Sequence, residues 1–293
     1  MARSVRPPGS SAGARPGSKK RTELLAVDGG RVQRRSDHLA TEEPMEIRLL
    51  AGAERRTVAV TMRTPGDDFE LAAGFLFGEG VVTLRDEIQR IAYCLDPDVD
   101  PEQQYNIVQV TLRSEALPDL ATLERHFYTT SACGVCGKAS LEALRVRGGP
   151  AIPPGPEVDP TLLAGLPGKL RAAQGVFEST GGLHAAALFD PRGSLVVLRE
   201  DVGRHNAMDK LVGWAFLEDR LPLHDHIVMV SGRASFELLQ KSYTAGAPMF
   251  CAVSAPSSLA VDVAREFGIT LVGFLRGERF NVYAGSERIR TSG

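Results

Sequence analysis

Two thiols three positions apart form the most reactive pattern in this sequence. Cys133-Gly134-Val135-Cys136 lies in the polar, glycine-containing segment Thr129–Lys138. Glycine between and after the cysteines lets the turn fold back and bring the sulfurs within reach of each other. The sequence predicts a helix starting near Gly137 to Ala139, whose free N–H groups and dipole would lie close to both sulfurs. Lys138 adds a positive charge. Both effects favour thiolate over thiol, and the thiolate is the nucleophile. Such a thiolate can attack the outer sulfur of a donor persulfide and become a persulfide itself. The second thiol can help release that sulfur or protect the site as a disulfide.

A redox dithiol of the thioredoxin kind fits the same spacing, although the βαβ start with an aromatic before the first cysteine is absent. The pair by itself does not decide between redox and sulfur-transfer roles. A structural zinc site needs two more ligands, and the sequence has no second closely spaced Cys/Cys or Cys/His pair. A zinc deaminase needs H-x-E and P-C-x-x-C segments. Here Ala132 stands in the proline position, His184 is followed by Ala185-Ala186, and His205 by Asn206-Ala207. The expectation is a site without metal. The other two cysteines, Cys94 and Cys251, sit in apolar, strand-like contexts and read as buried small hydrophobes.

The elements that must position this chemistry follow from patterning. Strands are expected at Glu46–Leu50, Thr57–Met62, Ile88–Cys94 and Tyr105–Leu112. Helices are expected at Asp67–Phe77, Leu117–Phe127 and Ala139–Val146. The proline-rich stretch from Gly148 to Pro160 reads as a linker. Beyond it, strands at Gly182–Phe189, Ser194–Leu198, His226–Val230, Met249–Ser254, Ile269–Phe274 and Phe280–Tyr283 alternate with helices at Asn206–Phe216, Ser235–Ala245 and Ser257–Phe267. That order predicts a layered α/β domain with some parallel strands over 161–288, preceded by a smaller α+β part over 39–147. Residues 1–38 are expected to be a disordered basic tail: the first 21 residues carry six Arg and Lys, no acid and almost no large apolar side chain. No apolar run follows the basic residues as in a signal peptide, and none approaches membrane-spanning length. The formal net charge of −2 provides no global field toward nucleic acid or membrane. A cytoplasmic protein with no nucleic-acid or membrane partner is expected.

Six strings occur in one order: Ser131–Lys138, Thr180–His184, Arg199–Asn206, Ser231–Ser235, Ser254–Ser258 and Gly273–Tyr283. Together they closely resemble the formate dehydrogenase accessory sulfurtransferase family, FdhD, over roughly Leu39 to Arg288. The resemblance implies a sulfur carrier that takes sulfur from a cysteine desulfurase. It passes the sulfur to the bis-molybdopterin guanine dinucleotide form of the molybdenum cofactor before insertion into formate dehydrogenase. It implies a fold like that of cytidine deaminases without the zinc chemistry, an α/β/α arrangement around a mixed sheet, and a homodimer. Cys133 matches the persulfide-carrying cysteine and Cys136 its partner. Phe274, Leu275, Arg276, Gly277, Glu278 and Arg279 match the cofactor-contacting stretch.

A polyanionic cofactor suits the residues of that stretch. It calls for guanidinium forks, backbone N–H groups and small residues that permit close approach. Phe274–Arg279 places two arginines around a glycine directly after a strand, and ligands of open α/β sheets bind beyond the carboxyl strand ends. Arg199–Asn206 reads equally as a salt-bridged helix start or as a cavity wall with Arg204 on a phosphate and Asp201 or His205 near the sulfur. Ser231-Gly232-Arg233 could hold an anion at a helix N-terminus. Two further functions stay open from the residues: a cofactor-binding chaperone that transfers no sulfur, and a dithiol oxidoreductase.

Overall fold

The computed structural model describes residues 16–94, 96, 98–100, 103–120 and 137–290, with backbone only at 137–140 and 147. Three sheets organise these residues. The first is a two-stranded ribbon, β1 (Lys19–Asp28) and β2 (Arg31–Ala40), paired over all ten positions of each strand. Gly29 and Gly30, both at positive φ, make its turn, the primed geometry that matches strand twist. The expected disordered tail is therefore corrected over 19–38. Leu24 and Leu25 pair across the ribbon with Arg35 and Arg34, and Val27 with Val32, so the hydrogen-bonded hairpin forms without a buried core of its own.

The second sheet has the order β4-β3-β6-β5. It is built from β3 (Glu43–Ala51), β4 (Glu54–Arg63), β5 (Ile88–Tyr93) and β6 (Ile107–Leu112). Alternation puts Met45, Ile47 and Leu49 on one face, where they pack with Leu71, Ala72 and Leu76 of α1 (Asp68–Gly78). The predicted helix over Leu117–Phe127 is not formed at 117–120, and its remainder lies outside the described residues.

The third sheet is mixed, with the order β12-β11-β10-β9-β7-β8. Its strands are β7 (His184–Phe189), β8 (Leu195–Asp201), β9 (Ile227–Val230), β10 (Met249–Ala252), β11 (Thr270–Arg276) and β12 (Arg279–Ala284). β9, β10 and β11 run parallel, and β7 and β12 are antiparallel to their neighbours. Buried runs such as IVMV and MFCA are those of strands covered on both faces. On one face Ala186, Val228, Phe250 and Leu271 pack under α5 (Arg204–Leu217), α6 (Phe236–Thr244) and α7 (Ser258–Glu266). On the other, Ala187, Met229 and Cys251 pack under Leu163, Leu166 and Leu170 of α3 (Pro160–Ala173). The result is three layers, α/β/α, with a smaller α+β unit beside them. Helix α3 starts where Asp159 accepts from the Thr161 N–H and Pro160 takes the first helical position. Gly268 at φ 69° stops α7, as the sequence predicts.

The two larger sheets are tied through α1 and α5. A Cβ on Gly213 would lie 1.8 Å from the Glu70 carbonyl oxygen, and one on Gly74 would lie 1.9 Å from that of Asp209. Only glycine lets these helix backbones touch. Arg199 clasps Glu70 with two bonds of 2.5 and 2.7 Å across the same seam.

Candidate functional site

Five of the six strings singled out in the sequence meet at one edge of the mixed sheet. β8, β9, β10 and β11 all end there, and β7 begins there at His184. The loops are stitched in sequence by backbone bonds. Ser231 and Ala185 exchange two: the Ser231 N–H donates to the Ala185 oxygen at 3.0 Å, and the Ala185 N–H donates to the Ser231 hydroxyl at 2.9 Å. The Ser254 N–H then donates to Gly232, and the Phe274 N–H donates to Ser254. The sixth string, with Cys133 and Cys136, lies outside the described residues. The helix that follows it, α2 (Gly137–Arg147), begins one residue after Cys136, as the sequence predicts. Leu144 fixes α2 to the core beneath α6 and α7, and Arg145 bonds Glu266 at the end of α7 at 2.8 Å.

Within Arg199–Asn206 the structure separates two roles that the sequence left equal. Arg199 holds Glu70, and the Glu200 carboxylate accepts from the Val176 and Phe177 N–H groups at the start of α4 (Gly175–Thr180). Asp201 is fully buried. It takes Lys210 Nζ at 2.7 Å, Asn206 Nδ2 at 2.9 Å and the Thr64 N–H at 3.1 Å. Lys210, equally buried, also donates to the carbonyls of Thr64 and Glu200. Asp201 and Asn206 therefore belong to the seam. Arg204 and His205 are half-exposed at the start of α5.

Arg204, Arg233, Arg276 and Arg279 gather around this edge, and Arg233, Arg276 and Arg279 are exposed. Two imidazoles join them. Burial pushes the His184 pKa below its ordinary value, and the Arg204 and His205 charges add to that effect. The ring thus favours its neutral form and can donate or accept. His205 Nε2 stands 3.8 Å from Glu237 Oε2, an ion-pair rather than hydrogen-bond distance, and the imidazole holds that carboxyl down at about 2. Ser235 occupies the N-cap position of α6, but its hydroxyl makes no cap bond. These cations and half-free backbone groups suit a ligand carrying several negative charges.

The predicted cofactor stretch splits by orientation. One extra residue on β11 between Gly273 and Arg276 bulges the strand, and Phe274 adopts φ 53° there. That backbone conformation costs a non-glycine residue about 1–2 kcal/mol, and bulges of this kind re-aim side chains at functional sites. Phe274 is accordingly 40% exposed, while Leu275 is fully buried in the core cluster beneath α3. Leu275 thus anchors the stretch in the core. Arg276 and Arg279 face each other across the turn, with Gly277 at positive φ and Glu278 between them, and Arg276 Nε donates to the Val253 oxygen. Reasoning from sequence missed the seam roles of Asp201 and Lys210. Their signal, a lysine nine positions after an aspartate, is too common to be read alone.

Fold and edge define a three-layer α/β protein that presents arginine and histidine side chains beyond the carboxyl ends of its parallel strands. Among the described residues no group of acidic, cysteine or histidine side chains is arranged to hold a metal ion. No helix of these residues is long and apolar enough to cross a membrane. The family model for the FdhD/NarQ family matches residues 40–290, and the chain belongs to that family. The sulfur carrier protein FdhD of Streptomyces avermitilis is 57% identical over 273 residues, covering 92% of this chain and 95% of that protein. The Mycobacterium tuberculosis protein of the same description is 50% identical over 275 residues, covering 92% and 97%. A crystal structure from Desulfotalea psychrophila, described as a formate dehydrogenase accessory protein, superposes with a TM-score of 0.72 at 26% identity. It covers 93% of this chain and all of its own.

Proposed function

We propose that this protein is a sulfur carrier that serves formate dehydrogenase by persulfide relay in the cytoplasm. The observation that carries this reading is the division of the cysteines. Cys94 and Cys251 are buried, and burial pushes the Cys251 thiol up to about 12. Neither can act as an accessible nucleophile, and sulfur chemistry falls to Cys133 and Cys136. The start of α2 one residue later and the adjacent Lys138 favour their thiolate form. Its relatives' description as sulfur carriers supports the same role.

The relay balances in two steps. The Cys133 thiolate attacks the outer sulfur of a cysteine desulfurase persulfide, and the donor cysteine leaves as thiolate. The Cys136 thiolate then attacks Cys133 Sγ. A Cys133–Cys136 disulfide forms, and the outer sulfur departs as hydrosulfide, taking the two electrons that the thiols give up. At the molybdenum of the bis-molybdopterin guanine dinucleotide substrate, hydrosulfide replaces an oxo ligand, which leaves as hydroxide. A cellular dithiol reduces the disulfide afterwards. Arg204, Arg233, Arg276 and Arg279 would hold the substrate's pyrophosphates, and Phe274 and Glu278 would meet a guanine face and edge. The loaded substrate would then pass to formate dehydrogenase.

The test is intact mass after incubation with a cysteine desulfurase and cysteine. The wild type should gain one sulfur atom, which Cys133→Ala loses. Equal gain by the Cys133→Ala/Cys136→Ala double variant would remove the pair from the mechanism. Restoration of formate dehydrogenase in cells by that double variant would favour an escort role without sulfur transfer.

A further inference from the structure

Arg204 and His205 are half-exposed at the edge, and the residues on either side of them are tied down. Before them, the Gly203 N–H donates to Asp201 Oδ1 at 2.9 Å. After them, Asn206 Nδ2 donates to the same oxygen at 2.9 Å and to the Met62 carbonyl at 2.7 Å. Thr61 Oγ1 bonds Asn206 Oδ1 at 3.2 Å. The stretch from Asp201 to Asn206 is thus a closed turn, with the two edge residues between its fastenings.

One residue of the smaller unit holds this turn with its N–H, its hydroxyl and its carbonyl together. Thr64 is 2% exposed and directly follows β4. Its N–H donates to Asp201 Oδ2 at 3.1 Å. Its hydroxyl accepts from the Val202 N–H at 3.2 Å, and its carbonyl accepts from Lys210 Nζ at 2.9 Å. Thr64 is itself fixed from both sides. Before it, the buried Arg63 guanidinium donates to both Asp68 carboxylate oxygens at 3.1 Å and to Asn106 Oδ1 at 3.0 Å. Two parallel bonds of this kind leave an arginine little freedom. After it, Pro65 has a fixed φ, and the Gly66 N–H closes on Asp68 Oδ1 at 3.2 Å. A rigid corner of the smaller unit therefore reaches across the seam and grips the turn that carries Arg204 and His205.

We propose that Thr64 is a positioning residue that aims Arg204 and His205 at the negatively charged groups of a substrate bound beyond the strand ends. The inference rests on the reading of that edge as the site of a polyanionic substrate. Thr64 acts through Asp201 and Val202 rather than on the substrate. Loss of its hydroxyl frees the Val202 N–H, and the turn that starts there loses one of its fastenings. A guanidinium held in place binds a phosphate more tightly than one that must be ordered on binding. The smaller α+β unit thereby contributes to a site built on the other sheet.

Thr64→Val in the full-length protein tests it, because valine keeps the shape and both backbone bonds and removes only the hydroxyl. The first readout is the His184 imidazole, followed by nuclear magnetic resonance as pH is varied. Burial holds its pKa down, the Arg204 and His205 charges add to that, and Asp201 opposes them. Arg204→Ala and Thr64→Val should each raise this titration, and Arg204→Ala should raise it less in the Thr64→Val background than in the wild type. The second readout is calorimetric binding of guanosine diphosphate. Thr64→Val should weaken it roughly fivefold, the effect of one hydrogen bond, and Arg204→Ala should again cost less in that background. Thr64→Ser retains the hydroxyl and should match the wild type in both. If Thr64→Val does not fold, Thr61→Val removes the bond to Asn206 from a half-exposed position and is read in the same way. An Arg204→Ala effect of equal size in both backgrounds overturns the proposal, as does an unchanged imidazole and affinity in Thr64→Val. A wild type that binds no guanosine diphosphate removes the reading of the edge and the proposal with it, whereas binding that only Arg204→Ala weakens removes the proposal alone.

Discussion

The seam between the two larger sheets and the carboxyl edge of the mixed sheet are both rich in charge, and they treat it in opposite ways. In the seam every carboxylate has its cation: Asp201 has Lys210, Glu70 has Arg199, and Asp209 takes Lys241 at 2.6 Å. At the edge the cations outnumber the carboxylates, and Arg233 and Arg279 point into solvent. One short string, Arg199–Asn206, serves both regions, with Arg199, Asp201 and Asn206 in the seam, Glu200 at the start of α4, and Arg204 and His205 at the edge. Paired buried charge fixes geometry, whereas half-exposed guanidinium groups keep donors accessible from solvent.

The largest effect is expected where a seam pair is broken. Asp201→Ala leaves Lys210 buried without its anion and should cost about 3–5 kcal/mol. Urea denaturation measures it. The double change Asp201→Leu/Lys210→Met should recover much of that loss, because it removes both charges together. If Asp201→Ala is as stable as the wild type, the seam does not depend on this pair. Gly213→Ala comes next. The added Cβ meets the Glu70 carbonyl, backbone that cannot turn aside. Forcing α1 and α5 apart should cost at least about 1–3 kcal/mol, visible as a lowered thermal midpoint, whereas Gly165→Ala in α3, where a Cβ meets nothing, should not.

The contrast between seam and edge also explains what the sequence disclosed. The strands and helices of the mixed sheet were legible because alternation, helix stops such as Gly268 and buried runs such as Ile227–Val230 are local signals. The loops that converge at the edge were legible as strings. The division of labour inside them was not, because the partners of Arg199 and Asp201 lie 129 and 137 positions away. The ribbon was misread for a different reason. Composition argues for a solvated tail, whereas the hairpin rests on the Gly29-Gly30 turn and on cross-strand backbone pairing, neither of which composition reports. The resemblance groups Leu275 with its neighbours as a contact residue, and the bulge at Phe274 places its side chain in the core.

At the edge, substitutions should affect ligand binding and spare the fold. Arg204→Ala should change stability by no more than about 0.5 kcal/mol, as at other surface positions. Binding of a guanine nucleotide diphosphate, followed by calorimetry, should weaken roughly tenfold or more if the guanidinium holds a phosphate through a charge-assisted bond. Arg279→Ala should behave alike. A variant that destabilises the protein yet binds normally would move that arginine from the edge to the seam.

The smallest effect, and the finest separation of the two regions, concerns His184. Its folded pKa lies below the ordinary value near 6.5, chiefly through burial and secondarily through Arg204 and His205, with Asp201 opposing them. As pH falls through about 6.5, the unfolded chain protonates this imidazole while the folded chain still resists. The unfolded state then binds more protons, and stability contributed at this position declines toward acid. His184→Gln has no such titration. The wild type should therefore lose ground to His184→Gln in urea midpoint between pH 8 and pH 5, a window in which the Glu237 carboxyl, held at about 2, stays ionised. Parallel curves for the two proteins would mean that the edge leaves His184 as open to water as in the unfolded chain. A bound polyanion should shrink or reverse the difference, because negative charge beside the ring favours its protonated form.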